Sequence, residues 1–249
     1  MRSIAVTVRC VGTGDAFGSG GRLNSCYQLR AGNEQLLIDC GCSSLIGLQK
    51  CGIDVASIDT VVISHLHGDH FGGLPFMLLE AKYVSSRQRP LTLIGPPGLQ
   101  KQVDEALEAL YPGTIGEGLQ FPVIYRELDP RQSEQQGSFV ISCCQVKHGN
   151  NPHAYALRIE VAGKVLCFSG DTEWTETLVE LVDGSDLFLA ECFAYAQAVP
   201  SHLDYQTLLQ QQERLNCKKM VLTHPGPEML GQKEQLAFPL AEDGDLFTL

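Results

Sequence analysis

The stretch VVISHLHGDHFGG, Val61 to Gly73, places His65, His67, Asp69 and His70 directly behind an apolar run. The chain has 7 histidines in 249 residues, so three within six positions is a concentration its composition does not explain. His65 and His67 stand two apart, and in extended chain both project to one side and can grip one cation. Asp69 and His70 follow Gly68, where the chain can turn and aim them elsewhere. A second cation beside the first is the natural reading. Imidazole with carboxylate suits zinc, manganese or iron, and two such ions roughly 3.5–4 Å apart can share a hydroxide. Each ion needs further ligands, which His148, Asp171 and His224 can supply.

The rest of the chain supports a common edge for these groups. Apolar strand-like runs end in SHLHGDH, KHG, SGDT and THPG, each delivering a His or an Asp to the loop after a strand. In α/β proteins that edge is where ligands bind. IAVTVRCVGTG reads as a strand, CYQLRAGNEQLLIDCG as strand, turn and strand, and PLTLIGPPG as strand then turn. LQKQVDEALEALYPG carries apolar residues at three-to-four spacing and reads as a helix, as do SSLIGLQKCGI, GLPFMLLEAKYV and YQTLLQQQERLN. Strands are predicted over FVISCCQVKHG, AYALRIEVAGKVLCFSGDT, LFLAECF and KKMVLTHPG. No internal repeat or linker divides the sequence, so one α/β domain over residues 1–249 is expected.

The totals set limits. A net charge of −11, from 18 Lys+Arg against 29 Asp+Glu, disfavours loose binding to nucleic acid or anionic lipid. The one basic run, KYVSSRQR with Lys82, Arg87 and Arg89, is read first as a solvated loop. No apolar run reaches the roughly 18 residues of a membrane span, and MRSIAVTVRC reads as an opening strand and not as a signal peptide. The 10 cysteines show no C-x-x-C pair and are expected to be buried, reduced thiols of a cytoplasmic protein.

The H-x-H-x-D-H run, a lone later His, a G-D-T aspartate and a T-H-P histidine together resemble the metallo-β-lactamase superfamily of binuclear metallohydrolases, from Val11 to Pro225. The resemblance implies a four-layer αββα sandwich with the metals at one edge between the sheets. It implies His65, His67 and His148 on one metal, Asp69, His70 and His224 on the other, and Asp171 bridging them. Aspartate at the bridging place, where the commonest true β-lactamases carry cysteine, argues against antibiotic hydrolysis. VGTGDAFGSGGRLNSCYQL with LLIDCG, the G-P-P-G segment, and AECF followed by SHLDY resemble the ribonuclease Z and small phosphodiesterase branch. That likeness implies a proton-donating role for His202. Glu191 either holds His202 or supports the metals, and Asp15 either orients a metal histidine or shapes the opening turn with Asn24. His153 is expected to be structural, and Trp174 to sit in the core or line the cleft.

Two departures shape the functional expectation. QVKHGNNPHAY lacks the T-P-G-H-T surround usual in the glyoxalase II and thioesterase branch. Only 22 residues separate His148 from Asp171, too few for the tRNA-gripping arm that the ribonuclease Z family inserts there. The expected function is a metal-dependent phosphodiesterase, carrying two divalent transition-metal ions, zinc first, that cuts a small or short phosphodiester through a metal-bridging hydroxide. Asp69 would hold the water and accept its proton. Hydrolysis of a carboxylic ester, thioester or lactone, ribonuclease Z-like tRNA 3′ processing, and a non-catalytic metal-binding or redox-sensing protein are the alternatives. No membrane partner is expected, nucleic acid is disfavoured, and a homodimer stays open.

Overall fold

A computed structural model describes residues 4–249, so the first three residues of the predicted opening strand lie outside it. The first sheet contains β1 (Val6–Gly12), β2 (Cys26–Ala31), β3 (Glu34–Ile38), β4 (Thr60–Val62), β5 (Leu91–Gly95) and β6 (Val123–Glu127). The second contains β7 (Glu134–Gln136), β8 (Phe139–Gln145), β9 (Tyr155–Val161), β10 (Lys164–Phe168), β11 (Leu187–Glu191) and β12 (Met220–Thr223), after which β13 (Leu246–Thr248) returns to the first sheet. The strand orders are β13-β1-β2-β3-β4-β5-β6 and β12-β11-β10-β9-β8-β7.

Hairpins join the antiparallel strands, as at β2–β3 and β9–β10. The parallel pairs β3–β4, β4–β5, β5–β6, β10–β11 and β11–β12 cannot be closed by a tight turn and need crossovers. In the first half these are α1 (Ser44–Lys50), α2 (Gly68–Phe71) with α3 (Leu74–Tyr83), and α4 (Leu99–Leu110) with α5 (Thr114–Glu117). In the second they are α6 (Thr177–Val182) and α7 (Tyr205–Gln211), and α8 (Pro227–Gly231) follows β12. Helix α4 shows why these segments are helical. Leu99, Val103 and Leu107 recur every four residues and are buried, while the residues between them are polar except for half-buried Ala106.

Three apolar clusters make four layers. Val8, Leu29, Ile38, Ile141, Leu157 and Leu189 pack between the two sheets. Leu37, Val61, Leu78 and Val103 join the first sheet to its helices. Phe188, Leu178, Leu208 and Leu222 do the same for the second. The αββα sandwich expected from the sequence is the fold.

Two backbone features set the working edge. The turn after β3 lies against α2, with the Cys40 amide donating to the His70 carbonyl at 2.6 Å and the Gly73 amide to the Cys40 carbonyl at 2.8 Å. A side chain at Gly41 would sit 2.1 Å from the Asp69 carbonyl oxygen, so only glycine permits this approach. At the other side Asp243 fastens the opening turn. Its Oδ1 accepts from the Thr13 amide and hydroxyl at 2.9 and 2.8 Å, and its Oδ2 from the Leu23 amide at 2.8 Å. Buried Arg22 adds a bond to Thr13 Oγ1 at 2.7 Å and an ion pair to Glu242 at 2.9 Å.

Several details differ from the sequence expectation. Strands β6, β7 and β13 lie in polar or half-exposed segments whose alternation is too weak to read. The predicted helix YQTLLQQQERLN ends at Gln211 and closes with a 3-10 turn, Gln212–Arg214. The basic run is a solvated loop only in part, since Lys82 and Arg87 are buried while Arg89 is exposed. Lys82 pairs with Glu117 at 3.1 Å, and Arg89 pairs with Asp59 at 2.9 Å. Buried Arg87 donates to the carbonyls of Arg89 and Pro90, each at 2.8 Å, so all three cations have partners within the chain. Of the 10 cysteines, Cys42 is exposed and Cys51, Cys144 and Cys217 are half-buried, so the expected burial holds for the other six. Among the described residues no helix is long and apolar enough to cross a membrane.

Candidate metal centre

Each candidate ligand stands just past a strand. The loop after β4 carries His65 and His67, and helix α2 carries Asp69 and His70. His148 follows β8, Asp171 follows β10 and His224 follows β12. His224 adopts a left-handed backbone, φ 57°, held by its amide donating to the Thr13 carbonyl at 2.8 Å. A histidine there is uncommon, and the strain is met by the loop's packing.

The side chains converge in two groups, His65 with His67 and His148, and Asp69 with His70, Asp171 and His224, the donor atoms of each lying within 4.8 Å of one another. Asp171 lies at their junction. Its Oδ2 is 3.9 Å from His65 Nε2 and 3.5 Å from His224 Nε2, and its Oδ1 is 3.2 Å from His70 Nε2. Asp69 Oδ2 is 3.2 Å from Nε2 of both His70 and His224. His148 Nε2 and His67 Nδ1 approach to 3.0 Å.

A second set of contacts fixes which nitrogen of each ring faces inward. His70 Nδ1 donates to Asp39 Oδ2 at 2.6 Å, and His148 Nδ1 donates to the Ser201 carbonyl at 2.8 Å. His65 Nδ1 meets Ser64 Oγ at 3.1 Å, and Ser64 donates its amide and hydroxyl to Asp39 at 2.8 and 2.9 Å. These bonds leave the opposite nitrogens as lone-pair donors aimed at the centre.

The residues fit divalent metal. His65 Nε2, His70 Nε2, Asp171 Oδ1 and His224 Nδ1 are buried without hydrogen-bond partners. Buried polar atoms normally have partners, and the first three of these face the junction of the two groups, where a cation would satisfy them. Electrostatics agree. Burial alone would raise Asp69, but hydrogen bonds from His224 and His70 hold its carboxyl far below the usual range. Burial likewise opposes the charge on Asp171, and the His224 and His70 charges reverse the effect and pull it well down. Burial disfavours the His224 imidazolium, yet Asp171 pushes it up to about 9. The site is thus a concentration of carboxylate charge balanced by protons that a metal can replace.

Other residues singled out in the sequence fall in and around this site. His202 and Glu191 join Asp171 and His224 in a third group, and His202 Nδ1 bonds to Glu191 Oε1. Glu191 Oε2 also accepts from the Leu203 amide at 2.7 Å, so Glu191 contacts His202 while standing beside the metal-type group. Asp15 orients no histidine. It accepts from the Phe17 amide at 3.2 Å and the Ser19 amide at 2.8 Å, and it shapes the opening turn, to which Asn24 donates at 3.0 Å. His153 stays outside the cluster, 3.4 Å from the Tyr155 hydroxyl. Trp174 packs on the second sheet's helix cluster beneath Arg214 and does not line the cleft. Sequence reasoning missed Asp39 and Ser64 as supports. LLIDCG is one more apolar strand ending in an acid, so the signal was present.

Above the candidate ligands opens a cleft of about 320 Å³, lined by Asp69, Asp171 and His202 below and by Phe17, Phe193 and Pro200 toward its mouth. A family model described as anti-Pycsar protein Apyc1 matches residues 6–246. The chain belongs to the Apyc1 family. It is 27% identical over 239 residues to the anti-Pycsar protein Apyc1 of Bacillus phage BSP38, covering 89% of this chain and 90% of the relative. It is 24% identical over 291 residues to ribonuclease Z of Lachnoclostridium phytofermentans, covering 94% and 93%. The human short-form tRNase Z, ELAC1, superposes with a TM-score of 0.78 at 25% identity, over 97% of this chain and 98% of that one. The Apyc1-family chain is therefore a metallo-β-lactamase-superfamily hydrolase near the ribonuclease Z and phosphodiesterase branch, and its metal dependence follows from the same relatives and the clustered donors.

Asp39 makes a direct test of how the ligands are held. Asp39→Asn keeps an acceptor for Ser64 but sets an amide against His70 Nδ1, so the ring loses the partner that fixes its tautomer. Zinc affinity in a chelator-competition titration is expected to fall about 10- to 100-fold, with the circular dichroism spectrum unchanged. Unaltered affinity would show that His70 needs no such support.

Proposed function

We propose that residues 1–249 act as one catalytic domain, a two-metal phosphodiesterase for a small or short phosphodiester. The observation that carries this reading is the pair of donor groups meeting at Asp171 beneath one compact cleft. His65, His67 and His148 would hold one ion and Asp69, His70 and His224 the other, with Asp171 between them. The imidazole and carboxylate donors suit zinc, with manganese or iron as substitutes. When bound, such ions lower the pKa of water and supply positive charge against phosphoryl oxygens.

The chain's own groups do the rest. Asp69, at the cleft floor and held strongly ionised, keeps its charge across the neutral range and accepts a hydrogen bond from the attacking water. Glu191 holds His202 through Nδ1, leaving Nε2 for the cleft that the ring lines. Burial disfavours the His202 cation, but the bond to Glu191 outweighs it and raises the ring's proton affinity. A histidine so poised can protonate the leaving oxygen.

The compact substrate follows from what the chain lacks. Between His148 and Asp171 lies only the β9–β10 hairpin, and Lys82, Arg87 and Arg89 are committed to internal partners. A polymer with many phosphates needs several cationic contacts, and a net charge of −11 offers no general attraction.

Three outcomes are expected. Elemental analysis of protein purified without chelator and reloaded with zinc gives about two ions per chain; saturation near one would sink the binuclear site. Asp69→Asn, at full metal loading and with an unchanged fold, lowers kcat by about 10² or more, and a near-normal kcat removes Asp69 from the chemistry. At about 0.15 M salt, kcat/KM is higher for small phosphodiesters than for precursor tRNA, a thioester or a lactone. Preferred cleavage of precursor tRNA at its 3′ side would move the reading to tRNA processing, and preferred thioester or lactone turnover to acyl chemistry.

A further inference from the structure

The first sheet carries a second cavity, far from the cleft, on its outer face. Val6, Val8, Leu29 and Leu36 point into the core between the sheets. Their strand neighbours Thr7, Arg9, Gln28, Arg30 and Gln35 therefore alternate onto the opposite face, where they line a groove of about 470 Å³. Ile53, in the loop after α1, walls one side, and Leu246 of β13 the other. Arg30 stands near the end of β2 and Gln35 near the start of β3, whereas the candidate ligand His65 follows the end of parallel β4. The groove thus lies toward the edge of the sheet opposite the metal centre.

Arg9 and Arg30 stand out by what they lack. Every other arginine among the described residues pairs with a carboxylate, as Arg22 does with Glu242 and Arg126 with Glu134. These two do not, in a chain whose net charge is −11. Each is instead tied to the backbone by one N–H group. Arg9 Nη1 donates to the Gly244 carbonyl at 2.9 Å, and Arg30 Nε to the Gly32 carbonyl at 3.0 Å. The remaining N–H groups of each fork are left over. The register pairs Thr7 with Arg30 and Arg9 with Gln28, so the two arginines are diagonal neighbours on one face, a spacing that long side chains can bridge. Gln28 is only 8% exposed and donates to Gln35 Oε1 at 2.5 Å, which leaves the Gln35 amide nitrogen as a further donor opposite Arg30. Asp54 is the one carboxylate among the lining residues, and its Oδ1 is engaged by the Ala56 amide at 2.9 Å.

Two guanidinium forks side by side match an anion with several oxygens and more than one charge. A phosphate monoester offers three free oxygens and close to two charges at neutral pH, where a diester offers two oxygens and one charge. The volume also exceeds what a bare phosphate needs and falls within the range of small-molecule sites. We infer that this groove is a binding site for a phosphate monoester, with Arg9 and Arg30 on the phosphate and Ile53 and Leu246 against a compact organic carrier. No lining residue belongs to the metal-type groups, so the site stands independently of the phosphodiesterase reading.

The test titrates ribose 5-phosphate, inorganic phosphate and dimethyl phosphate into the zinc-loaded full chain by calorimetry. Anions can also reach zinc, so the readout is the difference between wild type and the Arg9→Gln, Arg30→Gln and doubly substituted chains at equal zinc content. Each single variant is expected to weaken ribose 5-phosphate binding about tenfold or more, through lost charge-assisted hydrogen bonds, and the double variant to lose the site. Ribose 5-phosphate is expected to bind more tightly than inorganic phosphate, and dimethyl phosphate to show no binding that depends on the two arginines. Identical ribose 5-phosphate binding in wild type and the double variant overturns the site. Dimethyl phosphate held as tightly as ribose 5-phosphate overturns the monoester class, and inorganic phosphate held as tightly removes the organic carrier. A measurement on the unsubstituted chain guards against misfolded variants. The Nε–H nuclear magnetic resonance signals of Arg9 and Arg30 are expected to move on addition of ribose 5-phosphate, and signals unmoved at saturating ligand overturn the site.

Discussion

The structure depends on how Asp171 is kept charged in a place without water. It is nearly fully buried at the junction of two sheets, where an isolated carboxylate would be protonated. Three imidazoles meet it from two connections, His65 and His70 from the segment after β4 and His224 from the loop after β12. None of the three is adjacent to it in sequence, so the centre exists only when both sheets are formed and packed. In the absence of metal the balance is kept by protons on His70 and His224, both held above the ordinary imidazole range by the carboxylates around them. Cation binding and proton release are then two descriptions of one exchange.

The fold supplies this geometry by strand direction. Strands β3, β4 and β5 run parallel, as do β10, β11 and β12, so their ends open on the same edge. The loops there carry the ligands, while the crossover helices are confined to the outer faces. Supports come from the same edge. Asp39 follows β3 and reaches His70, and Glu191 ends β11 and reaches His202. Apolar strands thus do two jobs: their middles make the sandwich core, and their ends aim polar groups that would be too costly to bury unpaired.

This division explains what was legible in the sequence. Apolar runs that end in His or Asp stand out in a chain otherwise poor in histidine, so the clustered His and Asp side chains and the sheets that carry them could be read directly. Short edge segments such as Glu134–Gln136 bury little and show no alternation, so nothing in their residues announced β7. Contacts between distant loops were also hidden. That Asp15 shapes its own turn, and that Arg87 bonds backbone carbonyls next to it, depends on where the chain folds back. Phe17 gave no signal, since one aromatic residue in a glycine-rich stretch has no pattern to belong to. Its place at the cleft mouth is set by the fold.

The latch formed by Asp243 ties the two extremes of the fold together. It grips Thr13 and Leu23, on either side of the turn that presents Phe17, while the Thr13 carbonyl receives the His224 amide. In chain order Asp243, which fastens this turn, comes after every loop that carries a candidate ligand. A growing chain can therefore assemble sheets and gather histidines well before the mouth of its cleft has a fixed shape. The gathering of the candidate ligands and the shaping of the cleft mouth are in this way separate events along the chain.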